Sequence, residues 1–148
     1  MINPHSSTVA LADGIMSDTL NYKSAINSRG VFDWKMIYRF LPPFPEDLEY
    51  PERPASIPVM LGSAFAIRKD YFFHLGGYDE NLLIWNGENY ELSFKLWLCG
   101  GQILLVSCSR IGHMFKSYNK YRSVPGVDFI AHNFKRIAEV RLTGMFEW

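Results

Sequence analysis

The sequence predicts an α/β layered fold with a mostly parallel sheet, because short apolar runs alternate with segments of helical periodicity. Two runs, Thr8–Ala12 and Gln102–Ser107, have the composition of buried strands. Two later segments, Asn89–Leu98 and the stretch that begins at Asp128, place apolar residues at helical spacing. We therefore expect helices that pack on the faces of one sheet.

The composition predicts one folded domain over residues 1–148. Hydrophobic residues make up 48% of the chain and aromatic residues 16%, which is typical of a globular core. The 15 basic and 15 acidic side chains cancel, so nothing in the charge favours a nucleic-acid partner. No apolar run approaches the roughly 20 residues of a membrane span, and the start lacks a signal-peptide pattern.

The first half of the chain predicts two further strands separated by a proline-rich loop. Residues 15–30 are polar and mixed, which indicates a surface connection. Phe32–Phe40 alternates bulky apolar with polar side chains, as one half-buried strand does, and Met60–Arg68 predicts another strand. Between them, prolines at 42, 43, 45, 51, 54 and 58 favour a surface loop with neither a helix nor a central strand.

Three helices are predicted in the second half. A pair of glycines follows each of the first two, Gly76-Gly77 directly after the first and Gly100-Gly101 one residue after the second, as expected where helices end. In the second helix, Tyr90, Phe94 and Trp97 fall on one face. The three segments are Lys69–Leu75, Asn89–Leu98, and a final amphipathic helix from its N-cap Asp128 to Met145.

The residues before Asn89–Leu98 carry the main functional signal. Glu88 and Asn89 stand where side chains commonly cap a helix and complement its dipole. Trp85 beside them is either a core aromatic or one face of a sugar site, to which an acid and an amide would add hydrogen bonds. The combination favours a carbohydrate ligand over capping alone.

A second candidate is the loop after the strand Gln102–Ser107, where α/β folds commonly bind ligands. His113 is either a structural hydrogen-bonding residue or a metal ligand. Arg110 and Lys116 are either solvated charges or phosphate contacts. No glycine-rich phosphate loop, catalytic carboxylate pair or serine-histidine-aspartate arrangement is evident in the sequence.

The order of six motifs is more specific than any one of them. The motifs are Phe32-Asp33-Trp34, Leu61–Phe65, Ile84–Asn89, Trp97–Gly101, Cys108–Lys116 and Arg136–Val140. From about Val9 to Val140 they resemble the polypeptide N-acetylgalactosaminyltransferases. The resemblance implies the C-terminal half of a GT-A glycosyltransferase fold, with a mixed sheet and flanking helices.

The resemblance also implies an activity and its site. Members of this family transfer GalNAc, with retention, from UDP-GalNAc to serine or threonine hydroxyls of polypeptides in the Golgi lumen, using Mn²⁺. By position, His113 is a metal ligand, and Glu88 and Asn89 contact the donor sugar and the transfer centre as catalytic residues. Further substrate-binding positions are Gly62 and Ser63, Trp85 and Gly87 beside the sugar, Lys116 at the diphosphate, and Tyr121 in a loop that closes over the donor.

The sequence departs from the family pattern in two ways. First, five positions carry other residues: Ser63 and Asn86 replace glycines, Leu83 an aspartate, Lys116 an arginine and Arg141 a tryptophan. Second, the D-x-H segment with its two metal ligands, the membrane anchor and the lectin domain have no counterpart here. Because one ligand cannot hold a catalytic metal, we expect a fragment that is inactive alone. The resemblance implies that Cys99 and Cys108 pair with partners outside this stretch, so both should be free here.

Two alternatives remain open. Asn86, Ser63 and Leu83 are compatible with a non-catalytic relative that binds sugar or protein. A β-1,4-galactosyltransferase relative would share the tryptophan, glycine and glutamate, but it requires further acids after Glu88, which Asn89 and Tyr90 do not provide.

Overall fold

The computed structural model describes residues 8–12, 15–16, 28–62, 64–106, 109, 111–112 and 125–142. Within these ranges the strands are β1 (Thr8–Ala12), β2 (Ile15–Met16), β3 (Arg29–Phe32), β4 (Tyr38–Leu41), β5 (Ala55–Ser56), β6 (Phe65–Ala66), β7 (Gln102–Val106) and β8 (Ile111–Gly112). The helices are α1 (Pro45–Glu49), α2 (Lys69–His74), α3 (Glu88–Leu98) and α4 (Phe129–Ile137), which continues into a π-helical turn, Ala138–Leu142. None of the described helices is long and apolar enough to span a membrane.

The main sheet has the strand order β5-β7-β1-β6. Its centre is the parallel pair β1–β7, in which Val9 pairs with Ile103, and both flanking strands run antiparallel to their neighbours. The mixed sheet is therefore confirmed, whereas the expectation of a mostly parallel sheet was wrong. The two central strands are the apolar runs that composition predicted, and Ile103 is fully buried between the layers.

Phe32–Phe40 is a hairpin, so the prediction of one strand was wrong. β3 and β4 pair antiparallel on either side of a turn at Asp33. Oδ1 of Asp33 accepts hydrogen bonds from the backbone N–H groups of Lys35 (2.9 Å) and Ile37 (3.1 Å), and Met36 adopts a left-handed φ of 59°. A type I turn followed by a left-handed residue commonly closes hairpins. The Asp33 carboxylate thus stabilises a turn in the middle of an alternating sequence that predicts one continuous strand.

The proline-rich segment contains a helix that we did not expect. Pro45 occupies the first position of α1, where its missing N–H costs nothing. Asp47 accepts a hydrogen bond from the Phe44 N–H at 3.3 Å, which completes the helix start. The segment's one strand, β5, lies at the sheet edge, where neighbouring prolines are tolerated.

Other expected boundaries shift by several residues. The predicted strand Met60–Arg68 shortens to β6, and the predicted connection at 15–30 includes β2 and the start of β3. The helix expected at 69–75 is confirmed as α2, and it ends in the glycine pair Gly76-Gly77, whose φ angles are 82° and 66°. The final helix is α4 with its π-helical turn, and residues 143–145 lie outside the described part. Asp128 is its N-cap, as predicted, and accepts from the Ala131 N–H at 3.0 Å.

Helix α3 is the centre of the core, because it packs against two clusters of apolar side chains. The first lies against the sheet and comprises Ile57, Met60, Tyr71, Leu75, Leu92, Leu96 and Ile103. The second lies against α4 and comprises Val59, Tyr90, Phe94 and Ile137. Burial of each such side chain contributes about 1.5–3 kcal/mol. Trp97, predicted on the same face, is instead 38% exposed and donates to the Pro58 carbonyl at 2.8 Å.

A buried ionic cluster joins α3 to the π-helical turn. Oε1 of the fully buried Glu91 accepts from Lys95 Nζ at 2.8 Å and from Arg141 Nη2 at 2.7 Å. Lys95 also donates to the Gly77 carbonyl at 2.7 Å. Removing one member of such a group leaves an uncompensated buried charge, which is strongly destabilising. Arg141, a departure from the family pattern, therefore ties the chain's last described turn to α3.

Candidate functional site

The candidate site begins where α3 starts, at Gly87. This buried N-cap residue has a φ of 104°, and a Cβ there would lie 2.9 Å from Ile137 Cδ1 and 3.3 Å from Asn133 Cβ. Only glycine fits both the backbone conformation and the space. The first turn of α3 therefore starts against α4, and no side chain at the N-cap closes off its N–H groups.

Asn89 is held in place by hydrogen bonds to its amide and to its backbone carbonyl. Its Nδ2 donates to the Met60 carbonyl at 3.0 Å. Ser93 Oγ donates to the Asn89 carbonyl at 2.5 Å and accepts from the Met60 N–H at 3.1 Å. A Cβ at Gly62 would lie 3.6 Å from Asn89 Cβ and 3.9 Å from its Oδ1. Gly62, itself exposed, thus lies directly beside this amide.

Capping does not describe these two residues. Gly87 is the N-cap, Glu88 is the first helical residue, and the Asn89 amide bonds to the Met60 carbonyl instead of a helix N–H. Glu88 is partly exposed at the helix N-terminus, where an acidic side chain complements the helix dipole. An acid and an amide therefore lie on one turn, as the carbohydrate hypothesis requires, with Gly62 beside the amide.

Trp85 lies in the loop that leads into α3 and is 41% exposed, which argues against the core-aromatic alternative. Two of its neighbours have left-handed backbones, Ile84 with φ 50° and Asn86 with φ 81°. Asparagine tolerates this conformation better than other residues with a Cβ. Asn86 thus adopts a backbone that the glycine of the family pattern adopts freely.

The structure adds a residue that the sequence did not reveal, Asn133 of α4. Its Oδ1 accepts from the Leu83 N–H at 2.7 Å, and its Nδ2 donates to the carbonyls of Leu83 (2.8 Å) and Asn86 (2.7 Å). Only 1% of Asn133 is exposed. The available signal was a polar residue one turn before Ile137 on the apolar face of an amphipathic helix.

An ion pair supports the same loop from its other end. Arg136 donates to both carboxylate oxygens of Asp79, at 2.8 and 2.9 Å. Burial alone would raise the pKa of Asp79, but the hydrogen bonds from Arg136 and Asn81 outweigh it and lower the pKa to about 2. The loop between α2 and α3 is therefore tied to α4 at both ends.

Four of the predicted site residues lie outside the described part of the chain: Ser63, His113, Lys116 and Tyr121. The structure places Gly62 next to Asn89, and Trp85, Gly87 and Glu88 adjoin Asn89 along the chain. The roles of all nine residues remain predictions. Across the described ranges, no three histidine, cysteine, aspartate or glutamate side chains cluster to hold a metal ion. Cys99 is free, as expected, and Cys108 lies outside the described ranges.

Comparison with known proteins gives a consistent picture. A family model described as the N-terminal domain of galactosyltransferase matches residues 43–120. N-acetylgalactosaminyltransferase 4 of Drosophila melanogaster is 50% identical over 142 residues, which are 94% of this chain and 22% of that protein. Polypeptide N-acetylgalactosaminyltransferase 10 of Homo sapiens is 43% identical over 134 residues, which are 88% of this chain and 22% of that protein.

The solved structures agree. A crystal structure of GalNAc-T7 with UDP, GalNAc and Mn²⁺ superposes with a TM-score of 0.77 at 32% identity, covering 91% of this chain and 26% of that chain. This likeness supports the expected partial GT-A glycosyltransferase fold. The chain spans about a fifth of the length of the curated relatives it matches, 22% in both cases given above. The chain belongs to the galactosyltransferase domain family and, within it, to the polypeptide N-acetylgalactosaminyltransferases.

Proposed function

We propose that this chain forms part of the donor-sugar site of a retaining polypeptide GalNAc-transferase. The reaction would move GalNAc from UDP-GalNAc to serine or threonine hydroxyls of polypeptides, the mucin-type O-glycosylation of the Golgi lumen. The observation that carries the proposal is the close approach of Gly62 to Asn89 at the N-terminus of α3, where Glu88 precedes Asn89 and the adjoining loop exposes Trp85.

Each of these residues has a chemical role toward a sugar. The Glu88 carboxylate and the Asn89 amide would hydrogen-bond its hydroxyl groups. Trp85 would supply an apolar face, and Gly62 would let the ring approach the backbone. Because Asn89 is already held by Met60 and Ser93, it would bind without losing much freedom.

The diphosphate end of the donor would lie toward the loop of His113 and Lys116. Lys116 would offset charge on the departing UDP, and Tyr121 would close over the donor. Mn²⁺, which accompanies UDP in the GalNAc-T7 structure, would supply Lewis-acid chemistry when bound. His113 is one proposed ligand, and the chain contains no D-x-H segment to complete the set. The isolated chain should therefore bind donor weakly and transfer nothing.

Saturation-transfer NMR with UDP-GalNAc tests the site directly. The GalNAc protons should receive saturation from the wild-type chain and lose most of it in Trp85→Ala and Asn89→Ala. Trp34→Ala is the matched control, since Trp34 is an exposed tryptophan on the hairpin turn. An equal signal from all three variants, or none from the wild type, would contradict the proposal.

Activity tests the expectation of an inactive chain. The chain is incubated with UDP-GalNAc, Mn²⁺ and a threonine-containing peptide, and the peptide mass is measured. No transfer is expected. Transfer that disappears in His113→Ala would show instead that the chain is an active transferase, and a non-catalytic binding role would then be excluded.

A further inference from the structure

Asn133 makes an unusual set of contacts for a helix residue. It is buried in α4, yet all its side-chain hydrogen bonds given above reach a segment about 50 residues earlier in the chain. A third carbonyl, that of Trp85, lies 3.4 Å from its Nδ2. One amide side chain therefore bonds to the backbone of three of the four residues in the segment Leu83–Asn86, which we call the tryptophan loop.

The tryptophan loop needs such support because its own backbone is unfavourable. Ile84 is β-branched and adopts a left-handed φ of 50°, a conformation that costs L-residues about 1–2 kcal/mol. The Trp85 N–H bonds only two residues back, to the Leu83 carbonyl at 2.6 Å. Ile84 and Trp85 are 53% and 41% exposed, so their side chains provide little packing. The conformation of the tryptophan loop therefore depends on contacts with residues outside the loop.

Helix α4 is itself held in place by packing and an ion pair, so it can stabilise the conformation of the tryptophan loop. Ile137, one turn after Asn133, is 1% exposed in the second core cluster and faces Gly87. Arg136 forms the bidentate pair with Asp79. Asn133 therefore lies on a helix that is held in place by contacts other than its own.

We propose that Asn133 is the positioning residue of the tryptophan loop, acting through backbone hydrogen bonds to set where Trp85 stands relative to Glu88 and Asn89. The consequence for sugar binding rests on the proposed function, whereas the control of the loop does not. Asparagine suits the role because one group must accept from an N–H while another donates to carbonyls. Aspartate keeps the acceptor but turns the donor into a second acceptor facing carbonyl oxygens.

Fluorine NMR of the whole chain labelled with 5-fluorotryptophan tests this proposal. Trp85→Phe assigns the Trp85 resonance and Trp97→Phe that of Trp97. Asn133→Asp should shift or broaden the Trp85 resonance and leave that of Trp97 in place. Acidification should partly restore the Trp85 signal, because a protonated carboxyl can again donate to a carbonyl. Gln102→Glu, the same chemical change at an exposed strand residue, is the control and should change neither.

Donor affinity is the second readout at a temperature where the variant remains folded. Asn133→Asp should weaken UDP-GalNAc binding about tenfold or more, because a small displacement of a binding group is costly. If Asn133→Asp displaces the Trp85 signal but the wild-type chain binds no UDP-GalNAc, the proposed function is wrong and the positioning role of Asn133 is still supported. An unchanged Trp85 signal in folded Asn133→Asp would overturn the positioning role.

Hydrogen exchange of the unmodified chain keeps the proposal testable if the variant does not fold. The Leu83 amide, which donates to Asn133, should exchange about as slowly as the central amides of α4. Exchange of Leu83 at the rate of an unprotected amide would show that Asn133 does not hold the loop, and the proposal would be wrong.

Discussion

The hairpin turn at Asp33–Ile37 and the tryptophan loop both contain unfavourable left-handed backbone, and they stabilise it in different ways. Both contain non-glycine residues with left-handed φ and both expose a tryptophan, Trp34 at 96% and Trp85 at 41%. The hairpin turn is held by a carboxylate within it, whereas the tryptophan loop is held by an amide from another helix. The first conformation is local and should survive changes elsewhere. The second depends on how α3 and α4 pack.

The largest effect should come from breaking the packing under the tryptophan loop. Gly87→Ala combines an unfavourable φ with a Cβ 2.9 Å from Ile137 Cδ1, so we expect a loss of about 2–4 kcal/mol in urea denaturation. Gly100→Ala is the control, since Gly100 also has a positive φ but nothing lies within 4 Å of its Cβ position. Equal losses of stability in the two variants would mean that the Ile137 side chain moves aside and that contact with α4 does not constrain the loop.

The next effect tests the ion pair that ties the loop to α4. The pKa of Asp79 is lowered from 3.8 to about 2 in the folded chain, so this contribution is complete above about pH 4 and lost as pH falls to about 2. We expect it to be about 1–2 kcal/mol, reduced by solvent because the Arg136 side chain is 31% exposed.

Denaturation of Asp79→Asn between pH 2 and 7 provides the measurement. Its stability difference from the wild type should shrink as pH falls through this window. Glu80→Gln, the same change at the exposed neighbouring residue, should show no such convergence. A difference that stays constant down to pH 2 would contradict the assignment.

A smaller and strictly local effect is expected at the hairpin turn. Asp33→Ala removes the acceptor of the Lys35 and Ile37 N–H groups, so both amides should exchange roughly tenfold faster. The Leu83 amide should not change, because its acceptor is Asn133. Faster exchange at Leu83 as well would show that the two segments are coupled and that the contrast between them is false.

The smallest effect sharpens the description of the tryptophan loop. Asn86→Gly should change stability by no more than about 0.5 kcal/mol, because relief of the left-handed backbone offsets the flexibility of glycine. UDP-GalNAc binding should persist, since Asn133 bonds to the carbonyl of residue 86 and not to its side chain. Thermal melting and an affinity measurement check both. Asn86→Ala should lose about 1 kcal/mol by comparison.

The strands and helices with strong local patterns were predictable. The apolar runs became the central pair β1–β7, and glycine pairs ended α2 and α3 as expected. The predictions failed where a single side chain determined the local structure against the pattern of the surrounding sequence. Asp33 turned a continuous alternation into a hairpin, and Pro45 began a helix because the first helical position needs no N–H.

The sequence alone predicted which residues could bind a sugar. Glycine at 87, the acid and amide at 88 and 89, and the motif order that indicated the family are all local or linear information. Tertiary structure decided how these residues are held. Asn133 and Arg136 act on residues about 50 positions away, and no pattern in the neighbourhood of either loop or helix encodes that pairing. The physical reason is that the left-handed backbone at Ile84 and Asn86 is unfavourable by itself and becomes stable only when α4 packs against α3 and supplies the hydrogen bonds.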